Sequence, residues 1–342
     1  MSWIRENTLN WFQLLAIKIL RTGHIPKHVA FIMDGNRRYA SKNGMEKIKG
    51  HSKGFDKFAE TLQWCRDLGV QEVTFYAFSI ENFKRKQEEV NGLLNLAEQK
   101  FQRLLGEKDK TTKYGLCVRI IGNLSLLPQN IQELIAETMI YTKDHNKVFL
   151  NIAFAYTSRD EITHAIKDVI EGVKSGDILP DDIDENLISN CLYTNDSPHP
   201  DLLIRTSGEV RFSDFLMWQI SNTCVYFTNV LWPEFNVWDF LNAIFYYQRC
   251  YSDIQKVMKK QTVKPLLQNS RQSTYIDKLN LVSVYTELTR LYKIIRKELQ
   301  YISCLAYFQY YYILFKYITS MFHRIQRNST MCLCYSKIYD TK

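Results

Sequence analysis

Three stretches of this 342-residue chain combine charged groups in a way that suits phosphate chemistry. The first is Met33-Asp34-Gly35-Asn36-Arg37-Arg38, which sets a carboxylate, a glycine and two guanidinium groups within six positions. One carboxylate suffices to hold Mg²⁺, which keeps several waters and shares substrate phosphate oxygens. Gly35 lets backbone approach a ligand closely, and Arg37 and Arg38 match the oxygens of a phosphate. The plainer reading is a turn with a capping aspartate beside solvated arginines. The second stretch is Ser79-Ile80-Glu81-Asn82-Phe83, followed by Lys84, Arg85 and Lys86. A basic triplet is commonly a solvated face, and Ser-x-Glu commonly caps a helix. The third runs from Asp201 through Arg205 and a Ser-Gly turn to Arg211 and Ser213, where two arginines and a hydroxyl can form a second phosphate clamp. Arg205 ends an apolar run, so its guanidinium needs an anion or a buried carboxylate partner. Together these groups describe a magnesium site for two phosphorylated substrates. They do not say what the phosphates carry.

Something must bring these stretches together. Short apolar runs at His28–Met33, Glu72–Phe78, Cys117–Gly122, Val148–Phe154, Asp201–Arg205 and Cys224–Phe227 read as strands. Amphipathic stretches at Phe55–Leu68, Val90–Leu105, Pro128–Thr142 and Ser158–Gly172 lie between them and read as helices. Near-continuous apolar strands separated by helices predict an α/β fold: a single domain with a six-stranded, mainly parallel sheet flanked by helices. In such a sheet ligands bind at the carboxyl ends of the strands, which is where all three charged stretches fall.

Charge divides the chain. Residues 1–255 carry 29 Lys and Arg against 32 Asp and Glu, whereas residues 256–342 carry 15 against 4. The body thus lacks the basic footprint of a nucleic-acid binder, and no nucleic-acid partner is expected. The eight cysteines form no CxxC pair, which suits structural thiols in a reducing compartment. No secretory signal is evident, so the body is expected on the cytosolic side. Three segments follow: an N-terminal amphipathic helix within residues 1–23, a catalytic domain over 24–255, and a basic, Tyr-rich tail over 256–342. Trp3, Trp11, Leu14, Leu15, Ile17 and Ile19, close to Lys18 and Arg21, suit either a membrane-surface helix or one docked on protein. Leu299–Phe315 is uncharged but holds Gln300, Gln309 and several tyrosines, which reads as interfacial or packed rather than spanning.

Five strings, in order, resemble the cis-prenyltransferase (undecaprenyl diphosphate synthase) family: HVAFIMDGNRRYA (28–40), GHSKGF (50–55), YAFSIENFKR (76–85), PDLLIRTSGEVRFSDFLMWQ (200–219) and LWPEF (231–235). The likeness covers roughly residues 24–250. Arg37 and Tyr39 point to the branch of eukaryotic dehydrodolichyl diphosphate synthases, because bacterial members usually carry Gly and Trp there. The resemblance implies the cis-prenyltransferase fold and repeated condensation of isopentenyl diphosphate onto farnesyl diphosphate with release of diphosphate. The product would be long-chain dehydrodolichyl diphosphate, used for dolichol synthesis and protein glycosylation. It implies Asp34 as the Mg²⁺ ligand, and Asp34, Gly35, Arg37 and Arg38 as the allylic diphosphate site. Asn82 would assist proton removal, while Arg85, Arg205, Arg211 and Ser213 would hold isopentenyl diphosphate. His51 matches a further phosphate-side position. The growing chain needs an apolar tunnel, with the helices at 55–68 and 90–105 as candidate walls. Two departures stand out. Cys224 occupies the place of a metal-assisting Glu, and no Arg-x-Gly triplet follows residue 250. In two-subunit relatives that triplet comes from a Nogo-B-receptor-like partner, so a heteromer held peripherally on the cytosolic face of the endoplasmic reticulum membrane is expected. The alternatives are a non-catalytic binding subunit of the same fold and a membrane adaptor acting through the tail. The intact Asp34, Asn82 and arginine set weighs against the former.

Overall fold

The structure, a computed structural model, describes residues 3–4, 9–261 and 270–281. Six strands form one parallel sheet: β1 (His28–Ile32), β2 (Glu72–Ser79), β3 (Leu116–Ile121), β4 (Val148–Tyr156), β5 (Leu202–Arg205) and β6 (Cys224–Phe227), in the order β3-β4-β2-β1-β5-β6. Every residue of β1 is buried, as expected of an interior strand covered on both faces. The six apolar runs are the six strands, with ends moved by one or two residues.

One face packs against α3 (Lys47–Leu68), α4 (Gln87–Gly106), α6 (Gln129–Thr142) and α9 (Val237–Gln261). Its centre is aromatic. The register pairs Phe31 of β1 with Phe75 of β2, whose rings stack at 5.0 Å. Phe58 of α3 meets Phe75 at 4.1 Å, and Trp232 and Phe240 close the group. On the other face small side chains, Ala30 and Ala153, leave room for Phe215 and Leu216 from the connection before β6. A third cluster joins α7 (Ser158–Ser175), α8 (Glu185–Cys191) and a helix over 270–281 through Tyr275, which is 4% exposed. Gln272 of that helix donates to the Asp182 carbonyl at 2.6 Å, so part of the segment beyond residue 255 packs on the body.

The amino-terminal segment departs from expectation. The helix is shorter, α1 (Trp11–Leu20), started by a reciprocal Asn10–Gln13 cap and packed on α9 through buried Ile17. Trp11, Phe12, Leu14, Leu15 and Ile19 face outward. Trp3 is not on that face. It is 3% exposed, edge-on to Phe55 and Phe58, and its indole N–H donates to the Lys100 carbonyl at 2.6 Å. An aromatic recess and the Lys100 carbonyl satisfy both ends of the indole, which explains the burial. Short helices α2 (Asn36–Lys42) and α5 (Lys108–Tyr114) complete the fold. No helix among the described residues is long and apolar enough to cross a membrane. The tail beyond 281, including the uncharged stretch at 299–315 and Cys332 and Cys334, lies outside the described residues.

α2 and α3 cross where Gly54 sits against Asn36. A Cβ at Gly54 would clash with the Asn36 side-chain oxygen and stand 3.1 Å from Trp232. Helix propensity favours alanine over glycine by about 1 kcal/mol, while overpacking costs roughly 1–3 kcal/mol. Gly54→Ala is therefore expected to lower stability, by up to about 2 kcal/mol, against the propensity, as read by urea denaturation.

Candidate active site

The three charged stretches leave β2, β1 and β5, adjacent strands, at their carboxyl ends. Asp34 lies two residues past β1. Its N–H donates to the Thr206 hydroxyl at 3.0 Å, and its carbonyl accepts from Thr206 Oγ1 at 2.8 Å and the Trp232 N–H at 2.9 Å. With the backbone fixed, the carboxylate gathers its partners. Oδ1 accepts from the Gly35 N–H at 2.6 Å, and Oδ2 meets Arg205 at 3.1 Å and Arg38 at 3.4 Å. Burial raises its pKa, but the Arg205 and Gly35 hydrogen bonds and the Arg205 and Arg38 charges outweigh this and hold it below the usual value. Gly35 is required by its φ of 106°, and a Cβ would press on Leu231 and Ser207 at 3.0–3.1 Å.

Arg205 is 3% exposed and ends β5. Of the two partners its burial demanded, the carboxylate is present, and it is Asp34 itself. Its Nη1 donates to the Arg211 carbonyl and, at 2.8 Å, to Ser213 Oγ, while Nε has no partner among the described residues. Glu209 bridges the two clusters. It pairs with Arg38 at 3.3 Å and closely with Arg211. Arg38 also donates to the Ser207 carbonyl and hydroxyl. Arg37 is exposed and makes no ion pair among the described residues.

On the other flank, a 3₁₀ turn over Ile80–Lys84 presents Asn82 and Arg85. Asn82 Oδ1 caps the turn by accepting from the Ser79 N–H at 3.1 Å, and its NH₂ makes no hydrogen bond among the described residues. Arg85 is tied to Glu89 at 3.0 Å. Burial lowers the Arg85 pKa, as does the charge of Arg37, so the arginines of the first and second stretches converge. His51 stands among them. Burial above all, with the charges of Arg85 and Arg37 and against that of Glu89, depresses its pKa to about 4, and its Nε2 is buried without a partner among the described residues.

Met33, Asn36 and His51 also form part of the wall of a hollow of about 710 Å³, the open space at its mouth included, bounded by Phe55 and Phe58 of α3, Leu93, Leu96 and Phe101 of α4, and Trp3. The two helices proposed as tunnel walls do flank this cavity. The site is thus a cationic rim beside an apolar hollow, suited to a molecule with a phosphorylated head and a hydrocarbon tail.

Asp34, Gly35, Arg38, Arg205, Arg211 and Ser213 meet directly, and Arg37, Asn82 and Arg85 line the neighbouring rim. Position 224 does not join them. Cys224 pairs in register with Leu202, three residues before Arg205, which puts it about 10 Å back along the sheet. Within this chain it cannot thin or complete a metal shell at Asp34. Glu209 and Glu89 received no role from the sequence, although Glu209 sits between the two arginines of the third stretch. No group of three His, Cys, Asp or Glu side chains could hold a metal among the described residues. A single ionised carboxylate beside two phosphate-binding clusters still fits Mg²⁺, whose remaining ligands are waters and phosphate oxygens.

A family profile described as "Putative undecaprenyl diphosphate synthase" matches residues 32–254. The chain is 56% identical over 256 residues to the dehydrodolichyl diphosphate synthase complex subunit DHDDS of Homo sapiens, covering 75% of this chain and 77% of that one. It is 49% identical over 246 residues to the tritrans,polycis-undecaprenyl-diphosphate synthase (geranylgeranyl-diphosphate specific) of Methanocaldococcus jannaschii, covering 71% and 88%. Among solved structures, lavandulyl diphosphate synthase from Lavandula x intermedia in complex with dimethylallyl diphosphate superposes with a TM-score of 0.63 at 33% identity, covering 66% of this chain and 95% of that one.

His51 supplies a pH test. Its folded pKa of about 4 lies below the ordinary 6.5, so as pH falls the unfolded chain takes up the proton first. Stability is lost between pH 6.5 and 4, by about 2 kcal/mol at pH 5 from this group. His51→Gln is expected to remove that part of the pH 7 to pH 5 difference in denaturation midpoints.

Proposed function

The chain belongs to the undecaprenyl diphosphate synthase family of cis-prenyltransferases, and from that footing we propose that it is the catalytic subunit of a dehydrodolichyl diphosphate synthase. It condenses isopentenyl diphosphate repeatedly onto farnesyl diphosphate and releases diphosphate. The observation that carries this reading is Asp34, shared by arginines of two clusters at the mouth of an apolar cavity. Two diphosphates can lie side by side there. Arg37, Arg38 and the Gly35 backbone take the allylic one, and Arg85, Arg205, Arg211 and Ser213 take isopentenyl diphosphate. Mg²⁺, held by Asp34, supplies positive charge against the diphosphate leaving group when bound. The arginines fix the reacting carbons close together, and such fixed donors act strongly in a partly buried site. Asn82 assists proton removal from the isopentenyl unit, its NH₂ being free to bond a phosphate oxygen. The product's hydrocarbon lengthens into the cavity between α3 and α4.

The enzyme acts with a partner subunit that resembles the Nogo-B receptor and supplies the Arg-x-Gly residues. The human relative is itself named as a complex subunit. β6 is an edge strand, and beside it α9 exposes Trp238, Phe245 and Tyr246, an apolar margin of the kind that partners cover. The outward face of α1, with Lys18 and Arg21 beside its large apolar side chains, supports peripheral contact with the cytosolic face of the endoplasmic reticulum membrane. There the product would feed dolichol synthesis and protein glycosylation.

The test is incubation of the full chain, with and without a partner, with labelled isopentenyl diphosphate, farnesyl diphosphate and Mg²⁺. Long polyprenyl products that depend on the partner support the reading, and full-length synthesis by the chain alone removes the heteromer from it. Asp34→Ala should cut turnover by about 10³-fold or more, while circular dichroism shows a chain still folded but with a lowered melting temperature, since Arg205 loses its ion pair. Retained activity would strip Asp34 of its role. Arg211→Ala should raise KM for isopentenyl diphosphate by roughly tenfold with little change in kcat.

A further inference from the structure

The loop that carries Ser213 follows a backbone path that side chains avoid. Ser213, Asp214 and Leu216 have φ of 52°, 59° and 50°, and none is glycine. Such a path persists only where the surroundings over-determine it. Most of the ties come from the β4–α7 junction. The Ser158 N–H donates to the Asp214 carbonyl at 2.8 Å, the Arg159 N–H to Asp214 Oδ1 at 3.2 Å, and the Met217 N–H to Ser158 Oγ at 2.9 Å. The loop's far end is held by Gln219, whose NH₂ donates to Glu161 Oε2 at 3.0 Å and to the Thr194 hydroxyl at 2.6 Å.

Glu161 is the hub. It is fully buried and accepts from the Tyr156 hydroxyl, the Thr194 N–H and hydroxyl, and Gln219. It has no ion pair among the described residues. A buried carboxyl without a cation is a poor way to gain stability, since an apolar side chain of similar volume would serve the core better. Its four donors instead select one arrangement of α7, the 192–194 turn and the loop. That arrangement sets Ser213 Oγ 2.8 Å from Arg205 and turns the Arg211 carbonyl onto the same guanidinium.

We infer that Glu161 and Gln219 are positioning residues that hold the 211–219 loop in register with Arg205, and so set the affinity of one of the two diphosphate sites. The inference rests on the assignment of Arg205, Arg211 and Ser213 to isopentenyl diphosphate. It is selective because the Asp34 side is anchored separately, through Thr206 and Trp232. Loosening the loop therefore weakens one substrate and spares the other.

The experiment measures KM for each substrate and kcat, using the full chain in complex with its partner. Gln219→Met keeps the length and removes both donations, and Ser158→Ala removes the Met217 tie together with the Ser158 hydroxyl's bond to Tyr156. Gln219→Met should raise KM for isopentenyl diphosphate roughly tenfold, leaving KM for farnesyl diphosphate within about twofold and kcat within about threefold. Ser158→Ala should shift the same constant by a smaller factor, about threefold, and so keeps the test open if Gln219→Met does not fold. An equal rise in both KM values, or no rise in either, overturns the inference while leaving the reaction assignment intact. A wild-type complex that incorporates no isopentenyl units overturns the assignment and the inference together.

Discussion

Arg205 carries a full positive charge at the inner end of an interior strand, with 3% of its surface exposed, and the rest of the site follows from how that charge is balanced. An unpaired guanidinium there would cost several kcal/mol. Its counter-charge sits just past the end of the neighbouring strand, two residues beyond Ile32, the register partner of Arg205. A one-residue slip between β1 and β5 would shift Asp34 by about 3 Å relative to Arg205, so the ion pair and the strand register enforce each other. The lowered pKa of Asp34 gives the coupling its sign. The pair contributes stability above the ordinary carboxylate pKa and loses it as pH falls through the lowered value.

The other cations of the site are held differently. Arg38 and Arg211 share Glu209, and Arg85 pairs with Glu89. Arg38 and Arg211 are well exposed, and ion pairs of that kind are worth only about 0–1 kcal/mol. A diphosphate offers several charged oxygens and can displace Glu209 from both arginines at little cost. The buried Arg205–Asp34 pair is not exchanged so easily. One deep pair thus keeps its geometry while weak outer pairs stand in for the ligand, and the large gap in energy separates the two roles.

The sheet was legible because strands buried on both faces are written as apolar runs, and all six were read with ends correct to one or two residues. The helices of seven residues, α2, α5 and α8, were not, since two turns carry too little periodicity to register. Helix α9 was missed for another reason. Trp238, Phe245 and Tyr246 lie exposed opposite its buried Phe240, Ala243 and Ile244, so apolar residues surround the helix and blur its stripe. Trp3 looked like its neighbour Trp11, and only the recess between Phe55 and Phe58 separates them. In the site, the cations and the Asp34 carboxylate are readable as local strings, whereas the bridge that Glu209 makes to Arg38 is not. The pairing of Arg38 with Glu209 joins positions far apart in the chain, and no local pattern encodes it.

The two halves of the site also differ in backbone strain. Around Asp34 the main chain is tied to the Thr206 hydroxyl, just past β5, and to the Trp232 N–H, beside a close-packed aromatic core. Around Ser213 three residues other than glycine hold positive φ, tied by main-chain and side-chain bonds to the β4–α7 junction. The unstrained half adjoins the apolar cavity, where a lengthening hydrocarbon would stay between additions. The strained half contributes none of the cavity's lining and, in the proposed assignment, would bind the unit replaced in every cycle. The strain thus falls on the half that the proposed cycle would empty and refill, and spares the half that would keep the growing chain.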